Sequence, residues 1–186
     1  MKEIVLPSHI FMESTDTAQV DFSSAVAHAK DARRNANKVL SAALYIEREV
    51  EALIGFYLYP GPGVTEQQQF VAAHILGSDA LTFAAKRRLI VSLVNDKKWL
   101  QGQAKESFER QLKNVMSFRN AFTHGNVIER GDKTVLKYFE GQPRERELND
   151  AFWDEIVATF DAVGKHIEAI KHAMGINRSP APDGAA

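Results

Sequence analysis

"NVIERGDKTVLKYFEGQPRERE", residues 126–147, is the stretch on which the fold turns. Val127, Ile128, Val135 and Leu136 fall in two short β-prone runs on either side of Gly131-Asp132, a dipeptide suited to a tight turn. The reading is a β-hairpin of about four residues per arm. "EGQPRERE" (140–147) then reads as the connection to the next helix. The flanking sequence is helical in pattern, so the expected class is all-α: an up-and-down helical bundle with a small β-hairpin between its last two long helices.

Working outward, Phe108, Leu112, Val115 and Phe122 mark the inner face of a helix over roughly 101–124, with Gly125 where a C-terminal cap belongs. On the other side Asn149 can cap a last helix, along which Leu148, Phe152, Ile156, Phe160, Val163, Ile167, Ile170 and Met174 keep helical spacing. The longest periodic pattern lies in 17–59. There Val39, Ala43, Ile46, Val50, Leu53 and Tyr57 recur at steps of four and three, and Leu40, Leu44 and Ile54 widen the stripe. "YPGPGVT" (59–65) stops that helix, because Pro60 and Pro62 cannot continue it. Thr65 and Gln68 form a capping-box pattern for a second helix that reaches Leu76 and stops at Gly77. Ser78 or Asp79 can cap a third, with Leu81, Ala85, Leu89 and Leu93 on one side.

The chain has 186 residues, 45% of them hydrophobic, which suits one domain with a substantial core. The expected organisation is an N-terminal arm over 1–16, partly disordered, a helical bundle over 17–175 and a disordered tail over 176–186. A net charge of −1 gives no bulk attraction for a polyanion, so any nucleic-acid contact needs a local patch or a surface pooled between subunits. There is no cysteine, which excludes disulfides, thiolate metal sites and a cysteine nucleophile. No secretory leader and no membrane-spanning run are visible, and the expectation is a soluble cytoplasmic protein without a membrane partner.

Candidate chemistry is sparse. His9, His28, His74, His166 and His172 are scattered singly, no HExxH occurs, and neither a metal site nor a cofactor is expected. Basic residues cluster in "KDARRNANK" (30–38), "KRR" (86–88) and "KK" (97–98), which read as solvated helix faces or as a phosphate-binding surface. "RNAFTHG" (119–125) is denser. On a helix Asn120 and His124 stack on one face, and Arg119 lies about 140° around from His124 but can swing toward it. A proton-transfer group beside a fixed cation is what phosphodiester cleavage requires. The same residues also suit a plain helix end, with Arg119 paired to a carboxylate and His124 on free carbonyls.

"FRNAFTHG" resembles the Arg-x4–6-His signature of the HEPN superfamily, in its Arg-Asn-x-x-x-His form. The order of elements is similar to the branch of mannitol operon repressor-like proteins, in which a Phe-x-x-Lys-x-x-Leu helix precedes Arg-Asn-x-Phe-x-His. The matching residues here are Phe83, Lys86 and Leu89, then Arg119, Asn120, Phe122 and His124. The resemblance implies a homodimer with Arg119 and His124 facing their twins across a cleft. His124 would move protons at the ribose 2′-hydroxyl and the leaving 5′-oxygen, Arg119 would hold the phosphate, and Asn120 would orient the pair. Arg87, Arg88 and Lys113 would bind RNA along the rim. The implied function is a metal-independent endoribonuclease, a toxin of a toxin–antitoxin pair or a defence component, with an antitoxin as partner. The alternative is a noncatalytic regulatory or protein-interaction module of the mannitol operon repressor-like kind.

Overall fold

A computed structural model describes residues 11–12, 22–60, 65–78, 81–130 and 133–176, with side chains from residue 31 onward. The expected arm and tail lie outside these residues, apart from Phe11–Met12 and Ile176. In chain order the elements are β1 (Phe11–Met12), α1 (Phe22–Leu58), α2 (Glu66–Val71) continuing as a π-helical turn (Ala72–Leu76), α3 (Phe83–Lys97), α4 (Gly102–His124), β2 (Asn126–Arg130), β3 (Lys133–Phe139), β4 (Pro143–Glu147) and α5 (Asp150–Ala173).

The chain is therefore mainly helical but not all-α. The expected two-stranded hairpin is part of a larger sheet: β2, β3 and β4 form a three-stranded antiparallel sheet, and β1 adds to β2 in parallel. The connection "PRERE" is the overlooked strand. It aligns Glu147 with Val135, Glu145 with Lys137 and Pro143 with Phe139. Its side chains gain little burial. The backbone ladder holds it, extended by the Leu148 N–H donating to the Thr134 carbonyl at 2.8 Å. Ion pairs Lys133–Glu147 (2.9 Å), Arg130–Glu145 (3.1 Å) and Lys137–Glu145 (3.5 Å) cross the strands, each worth at most about 1 kcal/mol at this exposure.

The chain divides into two compact units. One comprises Met1–Ala43 and Val115–Ala158, the other Leu44–Asn114 and Thr159–Ala186. α1, α4 and α5 each contribute residues to both.

In the first unit Ala32, Ala36 and Val39 of α1, Val115, Phe118, Ala121 and Phe122 of α4, Ile128 of β2, Val135 and Leu136 of β3, and Phe152 and Ile156 of α5 are buried. Four aromatic rings knit α4 to α5: Phe118 meets Phe152 edge-on at 5.9 Å, and Phe122 stacks on Trp153 at 5.8 Å and 18°. Asn149 caps α5 as expected, its Oδ1 accepting from the Phe152 N–H at 3.0 Å.

In the second unit the Thr65–Gln68 capping box forms, with Gln68 N–H to Thr65 Oγ1 at 3.2 Å and Thr65 N–H to Gln68 Oε1 at 2.8 Å. Ser78 does not cap α3, and Asp79 lies outside the described residues. Thr82 caps it, its Oγ1 accepting from the Ala85 N–H, while Ser78 Oγ donates back to the His74 carbonyl. The inner face of α3 also differs from expectation. Phe83, Lys86, Ile90 and Val94 are buried, whereas Leu89 is exposed and Leu81, Ala85 and Leu93 are half-buried. The apolar stripe of α1 continues through Ile46, Val50, Leu53 and Ile54, but Leu44 stands in solvent. Among the described residues, no helix is long and apolar enough to cross a membrane.

Candidate functional site

The motif occupies the last turns of α4, within the first unit. The apolar side chains of this segment set its orientation. With Phe118, Ala121 and Phe122 turned inward, Asn120 and His124, four residues apart, share the outer face and are both exposed. Arg119 is half-buried beside them. Thr123 Oγ1 donates to the Arg119 carbonyl at 2.8 Å, which ties that hydroxyl to the helix backbone.

Gly125 stands at the end of the helix as expected, but without the left-handed conformation common at such a position. Its N–H still donates to the Ala121 carbonyl at 2.8 Å, and it is not among the positive-φ residues, which are Lys98, Gly102, Gly141 and Gly175. A Cβ here would collide with the Ala121 carbonyl and stand 2.9 Å from both Leu136 Cδ1 and the Lys137 carbonyl oxygen. The glycine lets β3 pass directly against the end of α4, which fixes the height of His124 over the sheet.

Charges in this unit are distributed unevenly. On the sheet side Arg130, Lys133, Lys137, Arg144 and Arg146 all pair with glutamates. On α1, Arg33, Arg34 and Lys38 are exposed and form no ion pair among the described residues. The expected RNA-binding residues fall elsewhere: Arg87, Arg88 and Lys113 all belong to the second unit. Arg88 and Lys113 are exposed there, while Arg87 is half-buried with its Nε enclosed and lacking a hydrogen-bond partner among the described residues.

The second unit holds a charged cluster outside the motif. Lys86 is buried, its Nζ 2.8 Å from Glu47 Oε1 and 2.6 Å from Glu51 Oε1. Burial is the largest single influence on this ammonium and works against it. The hydrogen bonds to Glu47 and Glu51, with their negative charges, together outweigh it and hold Lys86 protonated above the usual lysine range. A permanently charged lysine is a poor general base, so the cluster is a structural anchor between α1 and α3. A readable signal existed: Glu47 and Glu51 are four apart on α1, and Glu47 interrupts its apolar stripe. Elsewhere in this unit, Lys171 is raised well above the usual value by hydrogen bonds to Glu168 and Glu49. His166, packed edge-on against Phe108 at 6.0 Å, is lowered by burial.

No three His, Asp or Glu side chains gather as metal ligands among the described residues. The chain matches no known family, no curated protein and no solved structure. The functional reading rests on the side chains themselves.

Proposed function

We propose that this protein is a metal-independent endoribonuclease of the HEPN kind, acting as a homodimer. The observation that carries the reading is the outer face of α4, where His124 and Asn120 are solvent-exposed one turn apart with Arg119 beside them. A histidine meant only to satisfy a helix end has no need of an exposed asparagine on the same face or an arginine at this spacing.

In the proposed reaction the ribose 2′-oxygen attacks the adjacent phosphorus and the 5′-oxygen leaves. A neutral imidazole of His124 accepts the 2′-hydroxyl proton, and an imidazolium, supplied by the second copy's histidine, donates a proton to the leaving oxygen. Arg119 neutralises the charge that grows on the non-bridging oxygens, and Asn120 orients the imidazole. The products are a 2′,3′-cyclic phosphate and a 5′-hydroxyl. The exposed cations on α1 that form no ion pair among the described residues, Arg33, Arg34 and Lys38, are the candidates in the same unit for contacts along the RNA backbone.

The test is incubation of the purified protein with mixed RNA in EDTA, beside Arg119→Ala and His124→Ala variants matched for folding and oligomeric state. Cleavage by the unsubstituted protein alone, leaving cyclic-phosphate ends, is the expected result. No cleavage across a broad RNA panel would transfer the motif to a regulatory or binding role, and equal cleavage by all three proteins would remove it from the chemistry.

A further inference from the structure

Phe139, the last residue of β3, is 72% exposed, more than any other large apolar side chain among the described residues. Its ring makes no aromatic contact among them, whereas Phe122 and Trp153 of the same unit stack on each other. A single apolar side chain in solvent is ordinary. The place of this one is not.

Two contacts fix where Phe139 stands. At one, Gly125 lies so close to β3 that an added Cβ would be 2.9 Å from the Lys137 carbonyl oxygen. At the other, Ser117 Oγ donates to Glu140 Oε1 at 2.5 Å. About 12 Å of helix separates Ser117 from Gly125, and about 10 Å of extended chain separates Lys137 from Glu140. The two segments therefore run side by side in opposite directions. Phe139 lies between the two contacts on the strand, as Asn120 and His124 do on α4. Ser117, Asn120 and His124, at steps of three and four, share one helical face. The end of β3 thus borders the face that carries the motif.

The chain that presents the ring is held in place. The Glu140 N–H donates to the Gln142 carbonyl at 3.0 Å, Gly141 takes the left-handed turn position at φ 71°, and Pro143 aligns with Phe139 across the ladder. Glu140 would repel a phosphate chain if its charge were open, but both oxygens are engaged. Ser117 holds Oε1, and Arg144 Nε lies 3.4 Å from Oε2. Glu140, Gly141, Gln142, Pro143 and Arg144 are all exposed, so the ring stands in polar surroundings and not in the broad apolar patch that marks a protein contact.

We infer that Phe139 is a stacking platform for an unpaired base beside the scissile phosphate, which makes single-stranded RNA the substrate. This rests on the ribonuclease reading of the motif. A base within a duplex is already covered on both faces, whereas an unpaired base gains a partner on the exposed ring. Every base has a π-face, so the ring selects strandedness and not sequence.

The experiment uses the full chain and a short single-stranded 2′-O-methyl RNA, which lacks the attacking hydroxyl and cannot be cleaved, with the same strand in a duplex for comparison. Fluorescence anisotropy reads binding. The single strand is expected to bind more tightly than the duplex, and Phe139→Ala to weaken that binding roughly 5- to 100-fold. Phe139→Trp should bind at least as tightly as the unsubstituted protein, and Phe139→Leu, apolar but without a flat ring, should resemble Phe139→Ala. Undiminished binding by Phe139→Ala or Phe139→Leu, a duplex bound as tightly as the single strand, or no RNA binding at all would each overturn the assignment. So would loss of self-association in Phe139→Ala by sedimentation, which would make the ring a protein contact. The EDTA cleavage assay judges the motif separately. Binding that depends on Phe139 without cleavage would leave the platform standing and remove the chemistry, and cleavage with binding indifferent to Phe139 would do the reverse.

Discussion

A Cβ on Gly125 would stand 2.9 Å from the carbonyl oxygen of Lys137, so the end of α4 and the middle of β3 approach more closely than any side chain permits. Gly125→Ala is expected to cost about 1–3 kcal/mol of stability, since helix end or strand must shift. Displacement of His124 follows from that shift, so ribonuclease activity should fall further than the loss of folded protein accounts for. Denaturant midpoints and activity per folded molecule separate the two effects; full activity in the folded fraction would show that the height of the helix end is immaterial.

Substitutions in the motif should differ by role. His124→Ala removes the proton-transfer group and is expected to lower kcat by roughly 10²–10⁴. Arg119→Ala removes transition-state charge stabilisation, for a loss of roughly 10²–10³. Asn120→Ala, which only orients, should cost least. Steady-state kinetics on a defined RNA gives the order, and an Asn120 effect larger than that of His124 would refute the assigned roles.

Lys86 separates two kinds of substitution. Lys86→Met leaves two carboxylates facing each other out of water and is expected to destabilise the protein by about 3–5 kcal/mol. Replacing all three residues of the cluster by apolar side chains of similar volume should recover most of that loss. Because folding raises the lysine's pKa, its contribution is complete below the unfolded value near 10.5 and disappears as pH climbs through the folded value. Urea titrations of the single and triple variants test this; a triple variant less stable than Lys86→Met would mean that the cluster is held together by more than its charges.

His166 should make the protein acid-sensitive. Burial lowers its pKa in the folded state. Below about pH 6.5 the unfolded chain therefore binds a proton that the folded chain refuses, and stability falls with pH until the folded imidazole also protonates. In His166→Phe the loss of stability between pH 7 and pH 5 is expected to be shallower. Parallel pH dependences for the two proteins would exclude His166 as the source.

The parts of this fold that were readable are those in which local chemistry and burial agree. The stripe from Val39 to Leu53, the Thr65–Gln68 box and the Asn149 cap each follow from residues a few positions apart. β4 escaped because a strand whose residues are nearly all exposed shows no alternation of apolar and polar residues. The wrong face of α3 was preferred because a lysine counts as outward in any hydrophobic pattern, and its carboxylate partners lie 39 and 35 residues away. Of the candidate site, the shared face of Asn120 and His124 could be read from their spacing, whereas the reason for Gly125 could not. It depends on Leu136 and Lys137, which only the folded sheet brings to that point.

The strand that was hardest to see also decides where the sheet stops. β4 lies at the outer edge and begins with a proline, which has no N–H to offer a newcomer, followed by Arg144, Glu145, Arg146 and Glu147. A greasy segment from another molecule would have to strip water from four ions to win a few backbone hydrogen bonds. Fibre growth from this margin is opposed by the strand's own composition, which closes the sheet at four strands without any cap from outside it.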